Sequence, residues 1–217
     1  MKAIKIRKFL LPSGDENMLC IYFTGMKLHN KYYILRHGEA LSNIKRVISS
    51  WPEKFKNPLT PRGREMIEHA AKKLKNKSID IIFTSPILRA KETAQIVGKA
   101  LNCKPKQDKR LREISFGIFN GQPIGNFQGY FSSSNDRIRG KAPRGESYAD
   151  VLARVMIFFK EINKKYKGKN ILIVSHQAPL LLLLGKIKGH SIKESIIPLH
   201  TVFHEKRITK GELVELN

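Results

Sequence analysis

At 217 residues the chain is the size of one domain able to bury a useful core. Its 41% hydrophobic content is that of a soluble globular protein, and the longest apolar run, Pro179 to Leu184, is far too short to span a bilayer. Lys and Arg number 41 against 18 Asp and Glu, a net charge of +23, while Cys20 and Cys103 show no metal-ligand spacing and no disulfide framework, which fits a reducing cytosol.

The first 30 residues stand apart as an N-terminal extension, basic at its start but without the continuous apolar segment of a signal peptide. Within it, Met18 to Thr24 could form an added strand closed by Gly25. The main domain is expected over residues 31–217. The apolar stretch Tyr32 to Leu35 reads as a strand and is followed at once by Arg36-His37-Gly38-Glu39. A helix is expected from Pro61 to Asn76, with Thr60 as N-cap, Pro61 at the first helical position and Met66, Ile67, Ala70, Ala71 and Leu74 on one face.

Ile79 to Phe83 reads as a second strand. Ser85-Pro86 then repeats the helix-start signal, with Ala90, Ala94, Val97 and Leu101 facing inward. The stretch between Glu113 and Gly145 has poor periodicity, many glycines and five aromatics. Its Ser132-Ser133-Ser134-Asn135 run breaks any helix, so an irregular cap is expected around residues 114–145. The clearest helix runs from Ser147 to Tyr166, with Val151, Leu152, Val155, Phe158, Phe159 and Ile162 on one side. Ile171 to Val174 is a third strand, ending at Ser175-His176, and Leu199 to Phe203 reads as another. Strands alternating with helices of this length imply a three-layer α/β/α sandwich with a mostly parallel central sheet.

In open sheets of this kind ligands bind at the carboxyl ends of the strands. Here those ends carry Arg36 and His37, then Arg89, then His176: two imidazoles and two guanidiniums, suited to a doubly charged phosphate. Arginine offers phosphate a planar fork of donors that lysine cannot, and Arg89, in the first turn of its helix, also gains from the helix dipole. A neutral His37 could attack phosphorus, and adjacent Arg36 disfavours its protonated form. The structural alternatives are a buried histidine satisfying a backbone group and, for Arg89, a surface ion pair.

On these residues the chain resembles the histidine phosphatase superfamily, the phosphoglycerate-mutase-like proteins. The likeness runs from about Lys31 to about Leu184 in six blocks in the family's order. They are Arg36-His37-Gly38-Glu39 with Ser42-Asn43; Leu59 to Gly63; Ser85 to Ala90 with Glu92-Thr93-Ala94; Leu111-Arg112-Glu113 with Phe116-Gly117; Gly145-Glu146-Ser147; and Val174-Ser175-His176.

The resemblance implies that His37 becomes phosphohistidine, which water then hydrolyses, with His176 steadying the transferring group. Arg36, Asn43 and Arg89 would bind the phosphate. Glu113 resembles the family's proton donor; its alternative is a surface carboxylate paired with Arg110 or Arg112. The cap region covers the active site and sets substrate choice in that family. No cofactor is implied.

Some residues depart from the family's pattern. Asn120 stands where relatives often carry Glu, and Gln177-Ala178 replaces small glycines after the second histidine. The cofactor-dependent mutases carry Glu-Arg-His-Tyr-Gly at the acid, where this chain has Glu113-Ile114-Ser115-Phe116-Gly117, which favours hydrolysis. The expected function is a cytoplasmic, metal-independent phosphomonoesterase for a small phosphorylated substrate. The alternatives are a phosphoglycerate-type mutase, or a nucleic-acid or partner-binding protein on a phosphatase scaffold.

No metal site is expected. His200 and His204 are four apart, a spacing that suits zinc only on a helix, and that segment reads as strand. The basic residues recur in clusters, Lys72 to Lys77, Lys104 to Lys106 and Lys164 to Lys169, that follow no single motif. They can be a solvated surface or an attraction for polyanions, so nucleic acid is a possible partner but not the favoured one.

Overall fold

The computed structural model describes residues 26–200 and 208–216. The added strand expected at Met18 to Thr24 lies outside them, as does His204. Five strands form one sheet in the order β3-β2-β4-β1-β5. β1 (Lys31–Arg36), β2 (Ile81–Thr84) and β4 (Asn170–Ser175) are its parallel centre. β3 (Lys106–Gln107) extends it in parallel on one edge, and β5 (Leu213–Glu215) closes the other edge antiparallel to β1.

The alternation of side chains along the strands creates two cores, one on each face. Tyr32, Ile34, Ile171 and Ile173 point to one face and pack with α6 (Tyr148–Lys165) and α7 (Gln177–Ile187), where Phe158, Phe159 and Leu183 are fully buried. Tyr33, Leu35, Leu172 and Val174 point to the other, under α2 (Pro61–Leu74) and α3 (Leu88–Leu101). The layered sandwich and mostly parallel sheet agree with the expectation.

The helix starts are set locally. Thr60 Oγ1 accepts from the Gly63 N–H at 2.9 Å ahead of Pro61, and Ser147 and Asp150 cap α6 reciprocally. Ser85-Pro86 acts differently. Ile87 is the N-cap of α3, and Ser85 Oγ is turned toward the interior, accepting from the Ile87 N–H at 3.3 Å.

Two expectations change. Leu199 and His200 end a helix, α8 (Ile192–His200), and do not begin a strand. The Leu199-to-Phe203 pattern of apolar and polar residues is too short to separate the two periods. The cap is more ordered than its sequence suggests. After a 3-10 turn at Gly117–Phe119 come α4 (Ile124–Tyr130) and α5 (Ser134–Arg139). Ser132 and Ser133 do separate two helices, but Ser133 Oγ caps the second, so Ser134 and Asn135 lie inside it. Edge-to-face contacts tie the cap together, with the Phe127 ring centroid 4.9–5.7 Å from those of Phe116, Phe119 and Phe131.

Candidate active site

The site is built where β1, β2 and β4 end. Each strand is followed by a turn that throws a functional side chain over the carboxyl edge of the sheet. His37 N–H donates to Ser175 O at 3.1 Å and Ser85 N–H to Val174 O at 3.1 Å, so the three turns are cross-linked by backbone. Behind His37 the chain touches α2. A Cβ on Gly38 would lie 2.5 Å from Gly63 O, and one on Gly63 would overlap the Glu39 carbonyl. Both positions need glycine for the same close approach. Thr60 Oγ1 donates to Glu39 Oε1 at 2.9 Å, completing the brace.

The two imidazoles face each other with ring centroids 5.1 Å apart and planes at 61°. His37 is 3% exposed and His176 is fully buried. His37 Nδ1 lies 2.7 Å from Gly38 O, an acceptor only, so Nδ1 carries the proton and donates. Arg89 Nε then donates to the His37 Nε2 lone pair at 3.0 Å. Burial pushes His37 well below the ordinary histidine range, and the Arg89 and Arg36 guanidiniums push it further. A neutral ring with its lone pair at Nε2 results. His176 is lowered by the same causes, burial first and then Arg89. Its Nε2 pairs with Ser85 Oγ at 2.8 Å, and its Nδ1 is buried without a partner among the described residues.

Arg89 is 3% exposed and makes no ion-pair contact among the described residues, so it is not the surface salt bridge of the alternative reading. Ser49 holds it, accepting from Nη1 at its hydroxyl at 3.3 Å and from Nη2 at its carbonyl at 3.0 Å. Arg36 Nη1 donates to Ile208 O at 2.8 Å from the far edge of β1. Asn43 is in α1 (Leu41–Lys45) and part-buried. Its Oδ1 accepts from the Ala40 N–H at 3.0 Å, which leaves its amide N–H groups as the donors it could offer an anion.

Glu113 is also at this pocket. Neither arginine proposed as its surface partner takes it. Arg110 binds Asp108 and Glu161, each at 2.6 Å, and Arg112 lies over the Trp51 ring at 5.4 Å. Burial pushes the Glu113 carboxyl up from its ordinary value, opposed by Arg89 and by the Ile114 N–H that Oε1 accepts from at 3.0 Å.

Several residues that hold the site have no prominent sequence signal. Arg154 of α6 pairs with Glu146 at 2.8 Å and donates to Arg110 O at 2.6 Å and Glu113 O at 3.2 Å, fixing the stretch of chain that carries Glu113. Glu146 in turn accepts from the Ser115 N–H at 2.8 Å. The Gly145-Glu146-Ser147 block pointed to this place but not to its partner. Asn120, without a role in sequence, is 4% exposed. Its Oδ1 accepts from the Ser50 N–H at 2.9 Å and its Nδ2 donates to Pro52 O at 2.7 Å. It clamps the loop whose Ser49 holds Arg89. Asn120→Ala should therefore lower stability by about 1–3 kcal/mol, the cost of orphaning buried partners, and shift the urea midpoint down. An unchanged midpoint would show that the clamp carries no weight.

The profile of the histidine phosphatase superfamily (branch 1) matches residues 32–202. The chain is 31% identical over 215 residues to rat 6-phosphofructo-2-kinase/fructose-2,6-bisphosphatase 4, covering 93% of this chain but only 43% of that longer protein. It is 29% identical over 162 residues to a probable phosphoglycerate mutase, GpmB, of Photorhabdus laumondii, covering 72% of this chain and 74% of the relative. Among solved structures, a putative alpha-ribazole-5'-P phosphatase of Escherichia coli K-12 superposes with a TM-score of 0.70 at 25% identity, covering 86% of this chain and 90% of the other. The chain belongs to the histidine phosphatase superfamily.

Proposed function

We propose that this chain hydrolyses small phosphomonoesters without a metal, through a phosphohistidine at His37. The observation that carries the reading is the pair of hydrogen bonds on that ring. Gly38 O holds the Nδ1 proton, and Arg89, a cation, occupies the Nε2 lone pair that a phosphate would otherwise meet. A ligand phosphate entering here takes over the Arg89 donors and meets Nε2.

In the first step Nε2 bonds to phosphorus as the ester P–O bond breaks, and Glu113 gives its proton to the leaving oxygen. Arg36 and Arg89 offset the charge on the phosphoryl oxygens, and His176 and the Asn43 amide hydrogen-bond them. In the second step water attacks phosphorus and gives its proton to the Glu113 carboxylate. The P–N bond breaks, releasing inorganic phosphate and restoring both groups. Burial shifts Glu113 up and His37 down, each in the direction this sequence of steps requires.

The cap supports a choice of substrate. Arg137 of α5 has a buried Nε with no acceptor among the described residues, and both it and Glu113 act electrostatically on the buried Tyr148 hydroxyl at the start of α6. A second acidic group on the substrate would satisfy that cation, so phosphorylated acids and bisphosphates belong in a screen beside sugar phosphates and nucleotides.

The Arg36 and Arg89 guanidiniums supply the positive charge that other phosphatases draw from metal. Turnover of an aryl phosphate should therefore persist in EDTA; loss on chelation and recovery with a divalent ion would sink the mechanism. With 3-phosphoglycerate and a bisphosphate primer we expect slow phosphate release. Rapid exchange of the 2- and 3-isomers would make the mutase reading the better one.

A further inference from the structure

The parallel topology gathers more than the catalytic groups. Helices that follow parallel strands return antiparallel to them, so α2, α3 and α6 all end at the pole opposite the site, where β1 and β4 begin. The three lysine clusters that look scattered in sequence meet there. Lys31 N–H donates to Lys169 O at 2.9 Å, Asn163 Nδ2 donates to Lys27 O at 3.0 Å, and Lys169 Nζ reaches Asp80 at 3.4 Å. Lys106 and Lys165 both lie over the Tyr166 ring, at 5.9 and 5.5 Å. On the other face of the sheet Lys77 lies over Tyr33 at 5.6 Å and reaches Glu215 at 3.4 Å.

We infer that this pole is a binding surface for nucleic acid, gripping the phosphate backbone without reading sequence. Apart from half-buried Lys77, the lysines of the three clusters are exposed there, as are Lys27 and Lys31. Two carboxylates, Asp80 and Glu215, pair with this set among the described residues. Both contacts are long and solvated, and Asp80 already accepts from the Asn170 N–H at 2.7 Å. Lysines in the last turn of a helix have a local reason to be there, since they complement its dipole, and that covers Lys72, Lys73, Lys164 and Lys165. It does not cover Lys27, Lys31, Lys104, Lys106, Lys167 or Lys169, which lie outside helices.

The chemistry selects the partner. Lysines are solvated point charges, and this set contains no arginine fork to make a pocket for one phosphate. Spread over a whole pole, they suit a polymer that presents a phosphate at every step and gains from counterion release. An anionic membrane is less favoured because the large apolar side chains exposed among the described residues, Ile44, Trp51, Ile118, Ile124, Tyr130 and Ile157, lie in other segments and give the pole nothing to insert. The part-buried Tyr166 ring between two lysines adds one aromatic platform. Six-residue strands separate the pole from His37 by roughly 20 Å, well over the Debye length of about 8 Å at physiological salt. The pole and the pocket should work independently.

The test is fluorescence anisotropy of the full chain with a labelled oligonucleotide of about 20 residues, single-stranded and duplex, from roughly 50 to 300 mM salt. Binding should persist in the micromolar range at about 150 mM, the strength of sequence-independent contacts. Replacing Lys104, Lys106, Lys165 and Lys169 together by Gln should flatten the slope of log Kd against log salt by about 3, since each phosphate left without its cation accounts for roughly 0.9. The same change at Lys45, Lys54, Lys56 and Lys141, at the other end of the sheet, should flatten it by less than about 1. Aryl phosphate turnover by the pole variant should stay within about twofold, which also reports its folding. Equal effects from the two sets would reduce the result to net charge and overturn the proposal. So would loss of wild-type binding at physiological salt, or tight capture by phosphatidylserine vesicles that nucleic acid fails to displace.

Discussion

His37→Ala should abolish turnover, by about 10⁴-fold or more, the scale seen when a covalent nucleophile is removed. The loss should be as large with an aryl phosphate as with an alkyl one, because the bond to Nε2 forms with every substrate. The wild-type enzyme, quenched during turnover, should carry a phosphoryl group that is stable in base and labile in acid, and the variant none. The structure makes this a clean experiment. The His37 ring contacts its own Gly38 carbonyl and Arg89, so its removal leaves the backbone links to Ser175 in place. A phosphoenzyme that persisted in the variant would move the nucleophile to another group, with buried His176 the first to examine.

Glu113→Gln should separate substrates by leaving group. Alkyl phosphates need a proton on the departing oxygen and should lose about 10²–10⁴-fold, while aryl phosphates, whose leaving groups are weak bases, should lose far less. The same carboxyl should set the alkaline side of the pH profile. Its pKa is raised by burial, so it stays protonated above the ordinary carboxylate range, and activity falls as pH rises through that raised value. His37, lowered by burial and Arg89, must be neutral to attack, so its protonation can cut activity only at pH well under the ordinary histidine value. The profile of kcat/KM for an alkyl substrate should therefore be displaced to the acid side, and Glu113→Gln should remove its alkaline limb. Equal losses on both substrate types, with the limb intact, would leave Glu113 a positioning role.

Much of this was legible in the residues themselves. Short apolar runs gave the three central strands, which are buried on both faces, and period-3.6 stripes gave the helices that cover them. Short edge elements were not legible. β3 has two residues and β5 three, and such segments become strands only when a neighbour supplies the hydrogen bonds. The cap helices escaped notice because their aromatics pack mainly on one another and show no single buried stripe.

At the site, residue type and order determined which side chains converge. A histidine or arginine placed directly after a buried parallel strand has only the carboxyl edge to occupy. Tertiary structure decided what sequence spacing cannot encode, namely what holds each of them. The proton on His37 Nδ1 is fixed by Gly38 O, Arg89 by a serine 40 residues away, and Glu113 by Arg154, 41 residues on. Asn120, without an expected role, acquires one from Ser50 and Pro52, whose backbone groups it ties to the cap's first turn. The same reason governs the charge. Lysine clusters far apart in the chain have no relation in sequence, and only the antiparallel return of each helix brings them to one pole, away from the phosphate they might otherwise have been expected to attract.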